Sequence, residues 1–584
     1  MRKFLAASLS ALLVVGTVPS PAFAADPPTQ SPIKHVIVIF GENISFDHYF
    51  GTYPHAANLP GENKFTALPG TPVANTLETP FEFLPQGKLT ALKNVDLINK
   101  NPNGPSGSGA AFNGADAANP FRLAPSQAAT ADQNHAPKPE QMAYNNFKMD
   151  QFPGSTGAAG PPPSVLSTSG AEANKGLVMG YYDGNTVTAM WNYAQHFVLF
   201  DNTYTSQFGP STPGAINLIS GQTNGFSATQ GVVSGGVLLH NSHEVFDGQG
   251  NFTLVGDADP LGDVCSTGAD QVSMSGRNIG DMLNAKGISW GWFEGGFDLG
   301  ITNPNGSTNC ARYTTPTVPN FAYFSNDYVP HHEPFQYYPS TANPTHARPS
   351  SISAIGNTLE ADGVTKDPAN HQYDSHDFFD AIGNGNLPAV SFLKAPAYQD
   401  AHPGNSDPID EQTFVVNVVN AVMESPFWAS SAIIITYDDS DGWYDHQMPP
   451  IVNGSNSPYV DVLNGSTGCH FGIQQGKDSV SATPVLNGAA GLPALGRCGY
   501  GTRIPMLLIS PFAASNVVDH TLTDQSSIIA AIENNWLGGE RVQPGGSYDT
   551  IAGLIWRNLN LTTPLTQDQV NHRQLVLDPN TGVH

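Results

Sequence analysis

Short apolar runs recur along the chain and are separated by stretches with a helical pattern. Six runs predict strands, at residues 35–40, 197–200, 288–293, 389–393, 432–437 and 506–509. The first has no alternating polar positions, which is typical of a strand buried on both faces, as in parallel sheets. Helical patterns lie at about 186–195, 279–286, 378–382, 411–423 and 525–536. This alternation predicts an α/β fold with a mostly parallel central sheet flanked by helices.

Polar side chains follow two of these strands directly. Glu42 and Asn43 come just after the first strand, and Asp438 and Asp439 follow the run at 432–437. In open α/β sheets ligands bind beyond the carboxyl ends of the strands. Two consecutive aspartates at the end of a buried strand are costly unless a cation or hydrogen bonds compensate them. Carboxylate and amide oxygens suit a metal cation, although an Asn turn and an acidic turn are the simpler interpretations.

A candidate nucleophile lies in the stretch Gly209-Pro210-Ser211-Thr212-Pro213. Pro213 suits the first turn of a helix, where its missing N–H would be unpaired in any case. Ser211 would then stand at the helix start, where backbone N–H groups and the helix dipole favour phosphate. Simple N-capping by Ser211 or Thr212 is the alternative, and it is compatible with a catalytic hydroxyl.

Four histidines occur in polar loops that could reach the same place. They are His135, His331, His332 and His402. Each is unremarkable alone, but His402 follows a predicted strand, as Ser211 and Asp438 do. A parallel sheet would bring the residues after its strands to one edge. Two further histidines, His371 and His376, are expected to be solvated.

The start of the chain is typical of a secretory signal, at residues 1–24. Arg2 and Lys3 precede an apolar segment, and Ala22-Phe23-Ala24 resembles a cleavage site. No later apolar stretch predicts a transmembrane helix, so we expect a secreted or periplasmic protein. The formal net charge of −26 becomes −28 without Arg2 and Lys3. Such a chain should repel nucleic acid and anionic membranes, so we expect no nucleic-acid partner and no stable membrane anchoring.

Composition favours a sheet-containing core with long loops, because the chain has 59 Gly and 48 Pro. The stretch from about 52 to 175 is rich in Pro, Gly, Ala, Asn and Ser, and such a stretch is either disordered or a cover over a site. We expect one domain over 25–584 with this covering insertion. The four cysteines allow three pairings, of which proximity favours Cys265–Cys310 and Cys469–Cys498.

These motifs together resemble the secreted bacterial phosphoesterase family of the acid phosphatase AcpA and the phosphatidylcholine-preferring phospholipases C. The opening motif is Glu42-Asn43-Ile44-Ser45-Phe46-Asp47. The other matching segments follow in the family's order, at 132–135 with 144–145, 209–213, 331–335, 400–404, 437–439 with 444–446, and 503–506.

The resemblance implies an alkaline-phosphatase-like core and a divalent metal ion of unknown identity. The implied metal ligands are Glu42, Asn43, Ser211, Asp438 and Asp439, with Ser211 also the nucleophile. The histidines implied to line the phosphate pocket are His135, His331 or His332, and His402. The expected activity is metal-dependent acid phosphatase action on phosphomonoesters through a phosphoserine intermediate. The alternative is a phospholipase C, which a large apolar cleft in the 52–175 insertion would favour.

Two departures favour the acid-phosphatase branch. The family's phospholipases often have Glu-His-Gly-Gly after the first metal aspartate, where this chain has Asp439-Ser440-Asp441-Gly442. They also often carry C-terminal β modules, for which this sequence has no room. A different class, a metal-binding or adhesive protein on an inactive phosphatase scaffold, is disfavoured by the intact Ser211 and acidic residues. The oligomeric state stays open.

Overall fold

The computed structural model of the protein describes most of the chain. The described residues are 28–84, 88–93, 95–158, 171–228, 232–234, 237–239, 243–267, 271–318, 324–474 and 479–584. The expected signal segment, residues 1–24, lies outside them.

A nine-stranded sheet forms the centre of the molecule. Its strands are β1 (His35–Gly41), β2 (Val198–Tyr204), β3 (Trp290–Glu294), β4 (Gln372–Asp374), β5 (Val390–Lys394), β6 (Ser431–Tyr437), β7 (Arg503–Ile509), β8 (Val517–Asp519) and β9 (Thr523–Asp524). The order in the sheet is β4-β3-β5-β1-β6-β7-β2-β8, and β9 pairs with β2. Only β7 runs antiparallel to its neighbours β6 and β2, so the expected mostly parallel α/β sheet is confirmed.

Helices connect the strands. They are α1 (Phe46–Phe50), α2 (Ala110–Asn113), α3 (Pro137–Tyr144), α4 (Phe152–Ser155), α5 (Thr188–His196), α6 (Ser211–Ser220), α7 (Ile279–Lys286), α8 (Ser375–Asn384), α9 (Pro408–Met423), α10 (Ser526–Trp536) and α11 (Gln567–Asn571). The bounds of α7 agree with the prediction, whereas α8 is longer than the pattern at 378–382 indicated. Its N-cap, Asp374, accepts a hydrogen bond from the backbone N–H of His376, which satisfies a donor of the first turn.

Strand β1 shows why the sheet is so strongly apolar. It lies between β5 and β6 and pairs with both in parallel. Val36, Ile37 and Val38 are fully buried, since neighbouring strands cover both edges and other elements cover both faces.

Small two- and three-stranded sheets lie outside the centre, formed by 81–84 with 88–91, 121–122 with 180–181, 226–228 with 259–260 and 271–274, 232–234 with 237–239, and 244–246 with 252–254.

The described part of the chain contains two disulfides. The disulfides Cys265–Cys310 and Cys469–Cys498 are present, as proximity in the sequence favoured, and disulfides are typical of proteins outside the reducing cytoplasm. None of the helices in the described part of the chain combines the length and apolar character needed to cross a bilayer.

The prediction that His371 is solvated is wrong. Its ring is buried and stacks on Trp290 at a centroid distance of 4.4 Å. Its Nδ1 lies 2.9 Å from the carbonyl oxygen of Trp290. The imidazole therefore belongs to the core, where burial lowers its pKa to about 4. His376 is half-buried and pairs with Asp298 at 3.4 Å.

A buried carboxyl ties helix α9 to the sheet. Glu411 accepts hydrogen bonds from the hydroxyls of Tyr437, at 2.6 Å, and Tyr49, at 2.7 Å. Burial raises its pKa from 4.5 to about 7, although the two hydroxyls oppose the shift. The unfolded chain therefore loses this proton more easily than the folded one. Stability contributed by the neutral carboxyl is present below about pH 4.5 and is lost as the pH rises through about 7.

We expect Glu411→Gln to remove this pH dependence. From pH 5 to pH 8, the free energy of unfolding of wild type should fall by about 2–3 kcal/mol more than that of the variant. This follows from the shift of the Glu411 pKa, since one pKa unit corresponds to about 1.4 kcal/mol. Thermal melts of both proteins at the two pH values measure the difference. Glu424→Gln, at the exposed end of the same helix, is the matched control. Parallel melting curves for wild type and Glu411→Gln would contradict the prediction.

Candidate active site

The hydroxyl of Ser211 lies among acidic side chains at the carboxyl edge of the sheet. Its Oγ is 2.9 Å from Glu42 Oε2, 3.2 Å from Asp439 Oδ2 and 3.5 Å from Asn43 Oδ1. All four side chains are buried. Glu42 and Asn43 follow β1, and Asp439 follows β6, so the parallel pairing of these strands brings the three residues together.

Local backbone geometry aims these groups inward. Asn43 adopts a φ of 63°, a left-handed conformation that Asn tolerates better than most residues. Its N–H donates to Asp438 Oδ1 at 3.0 Å, which links the ends of β1 and β6. The N–H of Glu42 donates to the carbonyl oxygen of Asp400 at 2.8 Å. The loop that carries His402 is therefore joined directly to Glu42.

Helix α6 packs against the aspartate loop through a glycine. A Cβ on Gly214 would lie 2.2 Å from the carbonyl oxygen of Asp438, so only glycine allows this approach. The N–H of Thr212 donates to Asp257 Oδ1 at 2.9 Å, and Pro213 has no N–H. The helix start thus offers an incoming phosphate fewer backbone donors than the sequence pattern suggested.

A buried carboxylate from the 52–175 segment connects both sides of the site. Glu140 Oε2 accepts from the N–H of Gly209 at 3.0 Å, and its Oε1 accepts from Ser440 Oγ at 2.8 Å. These contacts hold the residues just before Ser211 against those just after Asp439. Burial raises the pKa of Glu140 to about 7.

Two of the four histidines lie close to the acidic cluster. His332 Nδ1 is 3.3 Å from Glu42 Oε1, and His402 Nε2 is 3.2 Å from the Asn43 side-chain amide. Burial lowers the pKa of both imidazoles, and for His332 the neighbouring His331 and Lys394 add to this effect.

The other two histidines pair with carboxyl groups outside the proposed ligand set. His135 Nδ1 lies 3.1 Å from Asp441 Oδ1, and its ring centroid is 6.1 Å from that of His402. Burial opposes protonation of His135, but the charges of Asp439 and Asp441 outweigh it and raise its pKa well above the ordinary value. His331 Nδ1 lies 3.6 Å from Asp259 Oδ1, and despite burial its pKa is also raised by Asp259 and Asp257.

The carboxyl groups of the cluster are close enough to share a cation. In the orientation that its neighbours favour, the side-chain NH₂ of Asn43 donates to Glu42 Oε2 at 2.6 Å and to Asp438 Oδ1 at 3.2 Å, and its oxygen accepts from His402 Nε2 at 3.2 Å. Carboxylate oxygens of Glu42, Asp438 and Asp439 lie within 4.8 Å of one another. Burial raises the pKa of Glu42 and Asp439 well above their ordinary values. An oxygen-rich, acidic donor set of this kind suits a hard divalent cation.

Several residues of the site were not found from the sequence. Lys394 at the end of β5 pairs with Glu42 and Asp438. A charged residue at the carboxyl end of an apolar strand is the same signal that pointed to Asp438. Glu140 and Asp441 carried no such signal, because their partners are distant in the chain.

Other matched motif residues lie in a separate buried network. Arg503 donates to Asp445 Oδ1 and to Asp47 Oδ1, both at 3.0 Å, and its guanidinium lies 4.2 Å from the centre of the Phe46 ring. His446 Nδ1 is 2.7 Å from Asp47 Oδ2. This network joins α1, β7 and the loop after β6, and so supports the site without belonging to it.

The chain matches a known protein family over most of its length. The model of the phosphoesterase family matches residues 33–537, a span that includes all nine candidate site residues. The chain belongs to the phosphoesterase family. One curated relative is the non-hemolytic phospholipase C of Pseudomonas aeruginosa. It is 22% identical to this chain, over 86% of this chain and 54% of that protein. Phospholipase C B of Mycobacterium tuberculosis is 21% identical over 88% of this chain and 74% of that protein.

The phosphoesterase chain spans about half the length of the Pseudomonas aeruginosa phospholipases C that it matches. Solved structures similar to it include a protein of the alkaline phosphatase superfamily from Vibrio parahaemolyticus, with 10% identity, 65% coverage of each chain and a TM-score of 0.24. Murine ectonucleotide pyrophosphatase/phosphodiesterase 5 is 12% identical, with 64% of this chain and 94% of that chain covered and a TM-score of 0.26. The family assignment rests on the sequence match.

Proposed function

We propose that this family member is a secreted, metal-dependent hydrolase of phosphoric esters, and specifically an acid phosphatase acting on phosphomonoesters. The observation that carries the proposal is the position of Ser211 Oγ, within 3.5 Å of Glu42, Asn43 and Asp439. A hydroxyl at a helix start, surrounded by oxygen ligands for a cation, has the parts needed for nucleophilic attack on phosphorus.

The residues proposed to hold the divalent ion are Glu42, Asn43, Ser211, Asp438 and Asp439. When bound, the ion would lower the pKa of the serine hydroxyl and offset charge on a phosphoryl oxygen. Ser211 Oγ attacks phosphorus and the ester oxygen leaves as the alcohol, which gives phosphoserine. Water then attacks phosphorus, releasing inorganic phosphate and restoring the Ser211 hydroxyl.

The histidines divide into two proposed roles. The pKa of His135 is raised by Asp439 and Asp441, and that of His331 by Asp259 and Asp257. Both imidazoles therefore stay cationic to higher pH and suit binding of phosphoryl oxygens. His332 and His402 have lowered pKa values and become cationic only in more acidic solution. We assign to one of them the protonation of the leaving alkoxide, a step that acid favours.

Phospholipase C activity is the second candidate, supported by the named relatives and by an apolar groove. This groove, of about 700 Å³, is lined partly by the 52–175 segment, through Phe81, Leu92, Phe147 and Met149. Phe147 and Phe471 are 43% and 50% exposed, and their ring centroids lie 6.1 Å apart. None of the lining residues is one of the nine candidate site residues.

The deciding experiment compares p-nitrophenyl phosphate with p-nitrophenyl phosphorylcholine across pH. We expect kcat/KM on the monoester to be at least about tenfold higher, with an optimum near or below about pH 6.5. As the pH falls, histidines gain charge and the monoester loses charge, so its repulsion by an acidic protein declines.

Phe471→Ala provides the matched test of the second candidate. In an acid phosphatase, the variant should leave turnover of both small substrates unchanged. A preference for the phosphorylcholine ester, together with loss of phosphatidylcholine hydrolysis in Phe471→Ala, would replace the acid phosphatase assignment with phospholipase C.

A further inference from the structure

A lysine is buried inside the acidic cluster. Lys394 ends β5 and is fully buried; it is the only buried lysine among those whose burial the structure describes. Burial of an ammonium ion is costly unless the ion is paired and its hydrogen bonds are satisfied. Its position therefore requires an explanation from its neighbours.

The contacts of Lys394 use its whole donor capacity. Its Nζ pairs with Glu42 Oε1 and lies 3.3 Å from Asp438 Oδ2. The third acceptor is the carbonyl oxygen of Gly41, at 3.5 Å. An ammonium group has three donors, so none is left to bind a substrate phosphate. Lys394 thus faces the proposed metal ligands and not the substrate.

Lys394 lies among several buried acidic side chains. Glu42, Asp438 and Asp439 are buried together, and Asp400 is close enough to raise the pKa of Lys394. A divalent cation bound to the same carboxylates would attract them more strongly and would repel Lys394 at short range. The lysine and the cation therefore compete for two of the same ligands.

We propose that Lys394 is a built-in counter-ion of the metal site, which holds Glu42 and Asp438 in place when no metal is bound and weakens metal affinity in return. This inference rests on the metal site of the proposed function. By linkage, a group that stabilises the metal-free form more than the metal-loaded form lowers the affinity for the metal. Lys394 should therefore be a positioning residue that stabilises the empty site.

The test compares wild type with Lys394→Met, which removes the charge and keeps a side chain of similar length. Lys394→Gln is a second variant, for use if the Lys394→Met protein does not fold. Mn²⁺ binding is followed by the EPR signal of free Mn²⁺ at pH 8, where protons compete least for the carboxylates. Melting temperatures are recorded with and without Mn²⁺. Lys366→Met, at an exposed position, is the matched control, and Asp439→Asn removes a proposed ligand while keeping Lys394.

We expect the metal-free variants to melt about 3 °C or more below wild type, and Mn²⁺ to bind them about tenfold more tightly. The gap between metal-free and metal-loaded melting temperatures should widen, whereas Lys366→Met should match wild type. Unchanged or weaker Mn²⁺ binding in both Lys394 variants, with binding lost in Asp439→Asn, would overturn the counter-ion role alone. A wild-type protein that binds no Mn²⁺, Mg²⁺ or Ca²⁺ would overturn the metal in the proposed function, and this inference with it.

Discussion

Ser211→Ala is expected to lower kcat on p-nitrophenyl phosphate by at least about 10³-fold, because it removes the hydroxyl that we propose to form the phosphoserine intermediate. The side chain is small and lies at the first residue of α6, so the fold should persist. Steady-state kinetics on purified protein, with circular dichroism to verify folding, measures the effect.

Ser220→Ala, at the other end of the same helix, is the matched control. Its hydroxyl is also buried but donates to the carbonyl oxygen of Ile216 at 2.9 Å, away from the acidic cluster. Its activity should stay within a few-fold of wild type. If Ser211→Ala retains substantial activity, the nucleophile lies elsewhere, and Thr212, the next residue of the helix, would be examined first.

Asp439→Asn should lower metal content and turnover together. Asp439 Oδ2 lies 3.2 Å from Ser211 Oγ, and a neutral amide removes one negative charge from the site that we propose to hold a divalent cation. We expect at least a tenfold loss of metal affinity and at least a 10²-fold loss of kcat, since an interaction with developing charge is lost as well. Asp438→Asn should act in the same direction. Metal content by mass spectrometry and kcat, measured on the same samples, give the two readouts.

Asp380→Asn tests whether a metal ion binds instead at another group of side chains that could hold one. His376, Asp377 and Asp380 form such a cluster near the surface, where Asp380 is exposed. The variant should keep full metal stoichiometry and activity. Unchanged stoichiometry in Asp438→Asn or Asp439→Asn would remove that residue from the ligand set, and loss in Asp380→Asn would move the metal to the surface cluster.

The sequence correctly predicted which residues lie near one another where strand direction alone decides their position. Glu42 and Asp438 each follow an apolar run, and parallel strands place the residues after them at one edge of the sheet. That reasoning needed no knowledge of which strands are neighbours. The same reasoning could not show that β7 would be inserted antiparallel between β6 and β2, since a short apolar run has no direction.

Residues that act through distant partners could not be assigned in this way. The 52–175 segment gave little periodic signal, yet it supplies Glu140 and His135. Glu140 contacts Ser440, 300 positions further along the chain, and His135 is paired with Asp441. Burial is equally non-local: His371 lies in a polar sequence, and only its stacking on Trp290 places it in the core.

By itself, then, the sequence determined the strand–helix alternation, the family, and the residues gathered at the sheet edge, because hydrophobic periodicity and residue type are local properties. Only the tertiary structure decided that Lys394 lies among the acidic residues, that His332 and not His331 faces Glu42, and which histidines have a carboxylate partner. These facts depend on charges and contacts between segments far apart in the chain. In a buried site, where solvent screens little, such contacts set the charge of each group.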